Sequence, residues 1–187
     1  ALWYSRDLRM SDTRVEAPKM FREMDGVRLE NVQIPNAQET LWHCRNVDLK
    51  NVRADRADYL FLHGENIRIE DYVQNGNYSF QYCRNVTIRD AEIHSKDAFW
   101  NSEDVTVYDS VLDGEYLGWH SKRLKLVNCR ISGTQPLCYA QDLVMENCTM
   151  DDDCDLAFEY STLRADIKGC VRSVKNPRSG SITAGGY

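Results

Sequence analysis

The sequence predicts an all-β chain wound as a right-handed, single-stranded parallel β-helix of about nine coils, each of 19–20 residues and three short strands. Three observations carry that expectation. Apolar anchors recur at Leu8, Val27, Val47, Ile67, Val86, Val105, Leu124, Leu143 and Leu163, with spacings of 19, 20, 20, 19, 19, 19, 19 and 20 residues. A second apolar residue follows each anchor by two, as strand alternation requires. Four residues after the anchors an unbroken column of Asn and Asp marks a bend.

Each coil is read from its anchor. The first strand points the anchor and its partner inward, as in Val27 and Leu29, Ile67 and Ile69, or Val86 and Ile88, with outward polar residues such as Arg28, Asp48, Arg68 and Thr87 between them. The bend column runs Asp12, Asn31, Asn51, Asp71, Asp90, Asp109, Asn128 and Asn147. Asn and Asp tolerate the left-handed region and can bond their own backbone, and stacked Asn side chains can form a hydrogen-bonded ladder. A second strand turns Val32, Val52, Ala91, Cys129 and Cys148 inward. After a variable polar turn comes a third, aromatic strand: Leu41-Trp42, Phe61-Leu62, Phe80, Phe99-Trp100, Trp119, Leu137 and Phe158. Its inward register is ambiguous, because apolar residues occupy two adjacent columns.

A leucine-rich repeat is the other architecture near this period, and it requires an i, i+3, i+4 apolar stripe that does not occur here. With strands about 4.8 Å apart, nine coils make a rod roughly 40 Å long. Crossovers between parallel strands are right-handed in nearly all cases, which sets the expected hand. One domain over residues 1–187 is expected. Residues 1–7 form a partial first coil, 8–164 the regular coils, and 165–187 an irregular C-terminal coil and cap. An entry into the first coil at Leu2-Trp3-Tyr4-Ser5 leaves an open sheet end, which is a place for self-association.

Composition narrows the function classes. A formal charge of −6 provides no basic face for nucleic acid and no polybasic patch for a membrane surface. The seven cysteines contain no C-x-x-C pair, so they read as buried thiols of a reducing compartment. The start, ALWYSRDLRM, lacks the basic and apolar regions of a signal peptide. A cytoplasmic chain without cofactor is the expectation, with a glycan or a protein as partner.

The stretches VEAPKMF (15–21), VQIPNAQETLW (32–42), KDAFWNSEDVTVYDS (96–110), GEYLGW (114–119) and LAFEYST (156–162) resemble a bacterial family of pectin-lyase-like β-helix proteins known only as a domain of unknown function. The resemblance spans essentially the whole chain. It implies a right-handed single-stranded β-helix, lacking N-terminal coils that other members have, and it implies no catalytic residues.

Candidate chemistry lies on the third strand. Four residues before each anchor stand Tyr4, Glu23, His43, His63, Tyr82, Asn101, His120, Tyr139 and Glu159, with Tyr82 and His120 expected to be exposed on one sheet. Imidazoles, phenols and amides in one column can stack on sugar rings and bond their hydroxyls, so His43, His63, Tyr82, Asn101, His120 and Tyr139 are the candidate ligand-binding residues. They are equally what an exposed strand tolerates. Glu23, His43 and His63, on three successive coils, have the donor types of a transition-metal site, but no metal is expected. A second column holds Glu39, Tyr59, Tyr78, Asp97, Tyr116 and Asp155. From it and its surroundings Asp97, Glu115 and His120 are the candidate catalytic groups of a polysaccharide-active enzyme, a lyase or glycoside hydrolase. Arg68-Ile69-Glu70 lacks the lysine of an Arg-x-Lys set, and no Gly-His-Gly occurs. A non-catalytic binding or scaffold module is therefore the leading expectation. The acidic turn Asp151, Asp152, Asp153 and Asp155 has the composition, but not the spacing, of a calcium loop.

Overall fold

In the computed structural model, which describes residues 2–187, one parallel sheet runs through the whole chain. Its rungs are β1 (Arg6–Arg14), β2 (Asp25–Ile34), β3 (Arg45–Ala54), β4 (Glu65–Asn75), β5 (Arg84–His94), β6 with β7 (Glu103–Tyr108 and Val111–Asp113), β8 with β9 (Lys125–Val127 and Arg130–Ser132), β10 (Leu143–Met150), β11 (Thr162–Ile167) and β12 (Ser179–Thr183). Each rung pairs with the next, so the chain climbs one strand spacing per turn. The register is the one the anchors dictate. Leu8 faces Val27, Val27 faces Val47, Val47 faces Ile67, Ile67 faces Val86, Val86 faces Val105, and Leu143 faces Leu163. The irregular C-terminal segment returns as β12, which sets Gly180 beside Leu163 and Ile182 beside Ala165.

The Asn/Asp column makes the expected bend. Every member from Asp12 to Asn147 has φ between +50° and +54°, a region other L residues enter at a cost of roughly 1–2 kcal/mol. The first and second strands run through this bend as a single bent strand in β2 to β5, and they separate into two only around Asp109 and Asn128. The amide ladder forms where donors exist. Asn31 Nδ2 donates to Asp12 Oδ1 at 3.0 Å, Asn51 to Asn31 at 2.6 Å, Asn128 to Asp109 at 3.0 Å and Asn147 to Asn128 at 2.6 Å.

The third strand is not extended. Glu39, Leu41 and His43 have φ of 51°, 59° and 56°, and Tyr78, Phe80 and Tyr82 repeat the pattern at 63°, 50° and 57°. Left-handed residues at alternate positions turn the chain repeatedly, and their N–H groups point alternately to the coils above and below. Glu39 N–H donates to Asp58 O and His43 N–H to Leu62 O, while Leu41 N–H donates back to Met20 O. This face is a ladder of turns, and its strained backbone is fixed by bonds between coils together with ring burial.

That geometry resolves the ambiguous register. Phe21, Leu41, Phe61, Phe80, Phe99, Leu137 and Phe158 point inward and are fully buried, whereas the adjacent Trp42, Trp100 and Trp119 are half-exposed. Phe61 and Phe80 stack at 4.8 Å with planes 10° apart, and Phe80 meets Phe99 at 5.4 Å. Inside the core, six of the seven cysteines are buried. Cys44 Sγ–H donates to Phe21 O at 2.8 Å and Cys83 to Phe61 O at 2.6 Å, so these thiols satisfy carbonyls at the tight corner before each rung.

Candidate ligand-binding face

The turn ladder carries most of the polar aromatic side chains. Alternate left-handed positions turn two columns of side chains outward, one at Glu39, Tyr59 and Tyr78, the other at His43, His63 and Tyr82. The tryptophan column lies between the buried phenylalanines and the second of these. All four tryptophans of the chain, Trp3, Trp42, Trp100 and Trp119, belong to this face, while the two faces built from strands carry mostly charged residues, paired across coils as in Arg28 with Asp48 and Lys125 with Glu146.

The column containing the predicted binding residues is continuous in two runs. His43 and His63 lie 5.2 Å apart, and His63 stacks on Tyr82 at 4.8 Å with planes 9° apart. Asn101 interrupts the column. Beyond it His120 stacks on Tyr139 at 5.0 Å, again 9° apart, and Tyr139 on Tyr160 at 5.9 Å. Tyr82 and His120 are exposed on the same face, as expected, with Tyr82 at 41% and Tyr160 at 53% exposure. The ninth member is Tyr160 rather than Glu159. Tyr139 N–H donates to Glu159 O, the bond that elsewhere precedes the column residue by one. Likewise Gln135 N–H donates to Asp155 O, so the second outward column ends at Leu156 and not at Asp155. A residue inserted in the turn at Asp151–Asp155 and one removed before β11 cancel in the anchor spacing and displace everything between.

Four further aromatic contacts pave the face. Trp100 meets Tyr82 edge-on at 5.4 Å, Trp119 packs between Tyr116 (4.8 Å) and Tyr139 (5.3 Å), and Tyr59 stacks on Tyr78 at 5.0 Å. Indole N–H groups tie coils together, as Trp119 Nε1 does to Gln135 O at 2.7 Å. At the N-terminal end the Arg22 guanidinium lies between two indoles, 4.2 Å from the Trp42 ring centroid and 5.4 Å from that of Trp3, a cation–π sandwich. Arg22 stands on the tryptophan register, the one signal in the sequence that places it there.

The candidate metal and catalytic sets fare differently. His43 Nδ1 is 3.5 Å from Glu23 Oε1, and burial followed by the nearness of His43 holds His63 below the usual imidazole range. These residues are neighbours, but among the described residues no three His, Cys, Asp or Glu side chains are grouped to hold a metal ion. The acidic turn is consumed by the coil before it. Arg130 makes two bonds of 3.0 Å to Asp151, Gly133 N–H donates to Asp153 Oδ1 at 3.1 Å, and the Thr134 hydroxyl donates to Asp155.

Asp97 and Glu115 are brought together on adjacent coils, with Asp97 N–H donating to Glu115 O at 2.9 Å. Burial raises the Asp97 carboxyl above its ordinary value, opposed by Lys96 and reinforced by Glu115. Lys96 Nζ lies 3.4 Å from Glu115 Oε2. His120 sits on the other outward column, and among the described residues no hydrogen bond or ion pair joins it to either carboxylate.

A family model described as "Protein of unknown function (DUF3737)" matches residues 1–187. No curated protein matches the chain. Among solved structures, that of QnrB1, described as a plasmid-mediated fluoroquinolone resistance protein, is similar at 8% sequence identity and a TM-score of 0.36, with 96% of this chain and 91% of that one covered.

Proposed function

The chain belongs to this family of unknown function, and from the geometry of its turn face we propose that it is a non-catalytic binding module that presents a polar aromatic strip to carbohydrate. The observation that carries this reading is the His43–His63–Tyr82 and His120–Tyr139–Tyr160 column, in register along the rod with ring spacings of 4.8–5.9 Å. Stacked rings cover one another's faces, so each presents its edge, a phenol hydroxyl or an imidazole nitrogen, to solvent. The tryptophans beside them supply the apolar area that amphipathic rings contribute at interfaces. A polymer lying along the rod meets these groups once per coil, about every 4.8 Å. An extended polypeptide presents one side every two residues, about 6.6 Å, and falls out of step. Sugar rings carry hydroxyls on every edge and apolar faces between them, which suits alternating edges and indoles.

The reading is tested by binding to a panel of immobilised glycans, with the His63→Ala/Tyr82→Ala double variant beside the parent. Retention of at least one glycan class, weakened tenfold or more in the variant, is the expected result. Equal retention by both proteins, or none by the parent, sinks it.

A second reading, a polysaccharide-active enzyme, draws support from one observation only: Asp97 and Glu115 adjoin, and burial raises the Asp97 carboxyl above its ordinary value, as a general acid requires. Reducing-sugar release from acidic polysaccharides, abolished in Asp97→Asn, is its expected signature. A parent protein that releases nothing from substrates it binds leaves the binding module alone.

A further inference from the structure

The aromatic column ends in a groove of about 470 Å³ that includes His120, Tyr139, Gln141, Tyr160, Thr162 and Arg178. In it the column meets a cation, Arg178, that has no ion-pair partner among the described residues. Its walls are the stacked rings of His120, Tyr139 and Tyr160. Arg178 stands in the segment that leads into β12, and that segment is pinned rather than free. Lys175 N–H donates to Ala157 O at 2.9 Å, Tyr160 N–H to Asn176 O at 3.0 Å, and Arg178 N–H to Ser161 O at 2.8 Å.

The charges around the groove are arranged so that Arg178 is left over. Glu159 is engaged by Lys175 at 3.3 Å and its side chain is only 14% exposed. Asp142 faces Arg123, whose ionisation it supports, and its backbone N–H is bound to the Thr162 hydroxyl oxygen at 2.7 Å. Among the described residues no carboxylate lies within ion-pair distance of Arg178. An exposed guanidinium beside aromatic walls, with an amide and a hydroxyl within the same recess, is the donor set that recognises a planar or tetrahedral anion carried on a ring.

We infer that this groove binds a sugar ring bearing a negatively charged substituent, a carboxylate or a sulfate ester, with Arg178 contacting the anion and Tyr139 and Tyr160 the ring. The inference rests on the carbohydrate reading above and adds the charge class and the place. It goes beyond the column itself, because Arg178 lies in the segment after the last regular coil.

The test measures binding of three oligosaccharides by calorimetry: one of uronic acids, the same one methyl-esterified at its carboxyls, and one of carboxyl-free sugars carrying O-sulfates. The expected result is that at least one anionic probe binds tenfold or more tightly than the ester. Arg178→Gln removes that preference, Arg178→Lys keeps part of it, and Arg172→Gln, an exposed arginine elsewhere on the segment, leaves it intact. The tighter of the two anionic probes names the anion, and an unchanged melting temperature in Arg178→Gln confirms that the fold is retained. If neither anionic probe binds more tightly than the ester, or if Arg178→Gln keeps the preference, the inference fails while the carbohydrate reading stands. If Arg172→Gln weakens binding as much as Arg178→Gln, the attraction is general charge and the inference fails as well. If no probe binds the parent and the glycan panel is also blank, the carbohydrate reading fails and takes the inference with it.

Discussion

Asn51 Nδ2 donates to Asn31 Oδ1 across 2.6 Å, although twenty residues of chain separate them. Asn31 in turn donates to Asp12, so it both gives and accepts a bond while holding φ at 54°. The side chain that permits the bend is thus also the one that joins successive bends.

Replacing Asn31 with Ala removes both bonds, each worth about 1 kcal/mol, and leaves in the left-handed region a residue without the polar side chain that eases Asn there, for up to roughly 1–2 kcal/mol more. A loss of about 2–4 kcal/mol in urea unfolding is expected. Asn31→Gly should recover the backbone part and retain the loss of bonds. An Ala variant within about 0.5 kcal/mol of the parent, the usual scatter of surface changes, would show that the ladder contributes nothing.

The phenylalanine stack is the second test of packing. Phe80 is fully buried between Phe61 and Phe99, and Phe80→Ala should cost about 3–5 kcal/mol, with Phe80→Leu costing less because volume is mostly kept. Ile88, also fully buried, bears on the strand face, where Ile88→Asp should leave no cooperative unfolding transition, since an unpaired buried charge costs many kcal/mol. A soluble Asp variant with the parent's melting temperature would contradict the inward assignment.

What the sequence made legible follows from which positions have only one solution. An inward strand residue must be apolar and a left-handed corner favours Asn or Asp, so the anchors from Leu8 to Leu163 and the bend from Asp12 to Asn147 could be read directly. The third face was less legible because Leu41, Phe61 and Phe80 adopt positive φ where β-favouring residues suggest extension. There tertiary bonds override local preference. Fixed offsets from an anchor also fail where an insertion and a deletion cancel, which is why Glu159 and Asp155 stood for Tyr160 and Leu156. Arg178 gave no signal at all, since it lies past the last periodic anchor and reaches the column only through the return into β12.

His94 supplies a prediction about pH. Its Nδ1 is 3.0 Å from Asp113 Oδ2 and its Nε2 is 3.7 Å from Glu92, while Ser132 Oγ–H donates to Asp113 Oδ1 at 2.6 Å. The Ser132 bond first, and His94 second, hold the Asp113 carboxyl below its ordinary value near 3.8. A carboxyl whose folded pKa is depressed adds stability above its unfolded pKa and loses it as pH falls through the folded one. Asp113→Asn should therefore melt below the parent at pH 7 and converge with it as pH falls below the ordinary carboxyl range. A difference that stays constant from pH 7 to pH 2.5 would mean that the ionised form is not what matters.

The thiols offer the most direct check of the interior. Burial pushes Cys44, Cys83 and Cys154 up to about 12 and Cys138 to about 11, and the neighbouring Cys148 thiol together with burial raises Cys129. Because the thiolate is the reactive species, a neutral thiol at pH 8 inside the rod is protected twice, by its ionisation and by the coils around it. Cys170 is the one exposed cysteine. One thiol of the seven should react rapidly with an aromatic disulfide reagent in the native protein, Cys170→Ser should abolish that fast phase, and all seven should react in denaturant. Two or more fast equivalents in the native state would place a corner column at the surface and overturn the inward register of the cysteines.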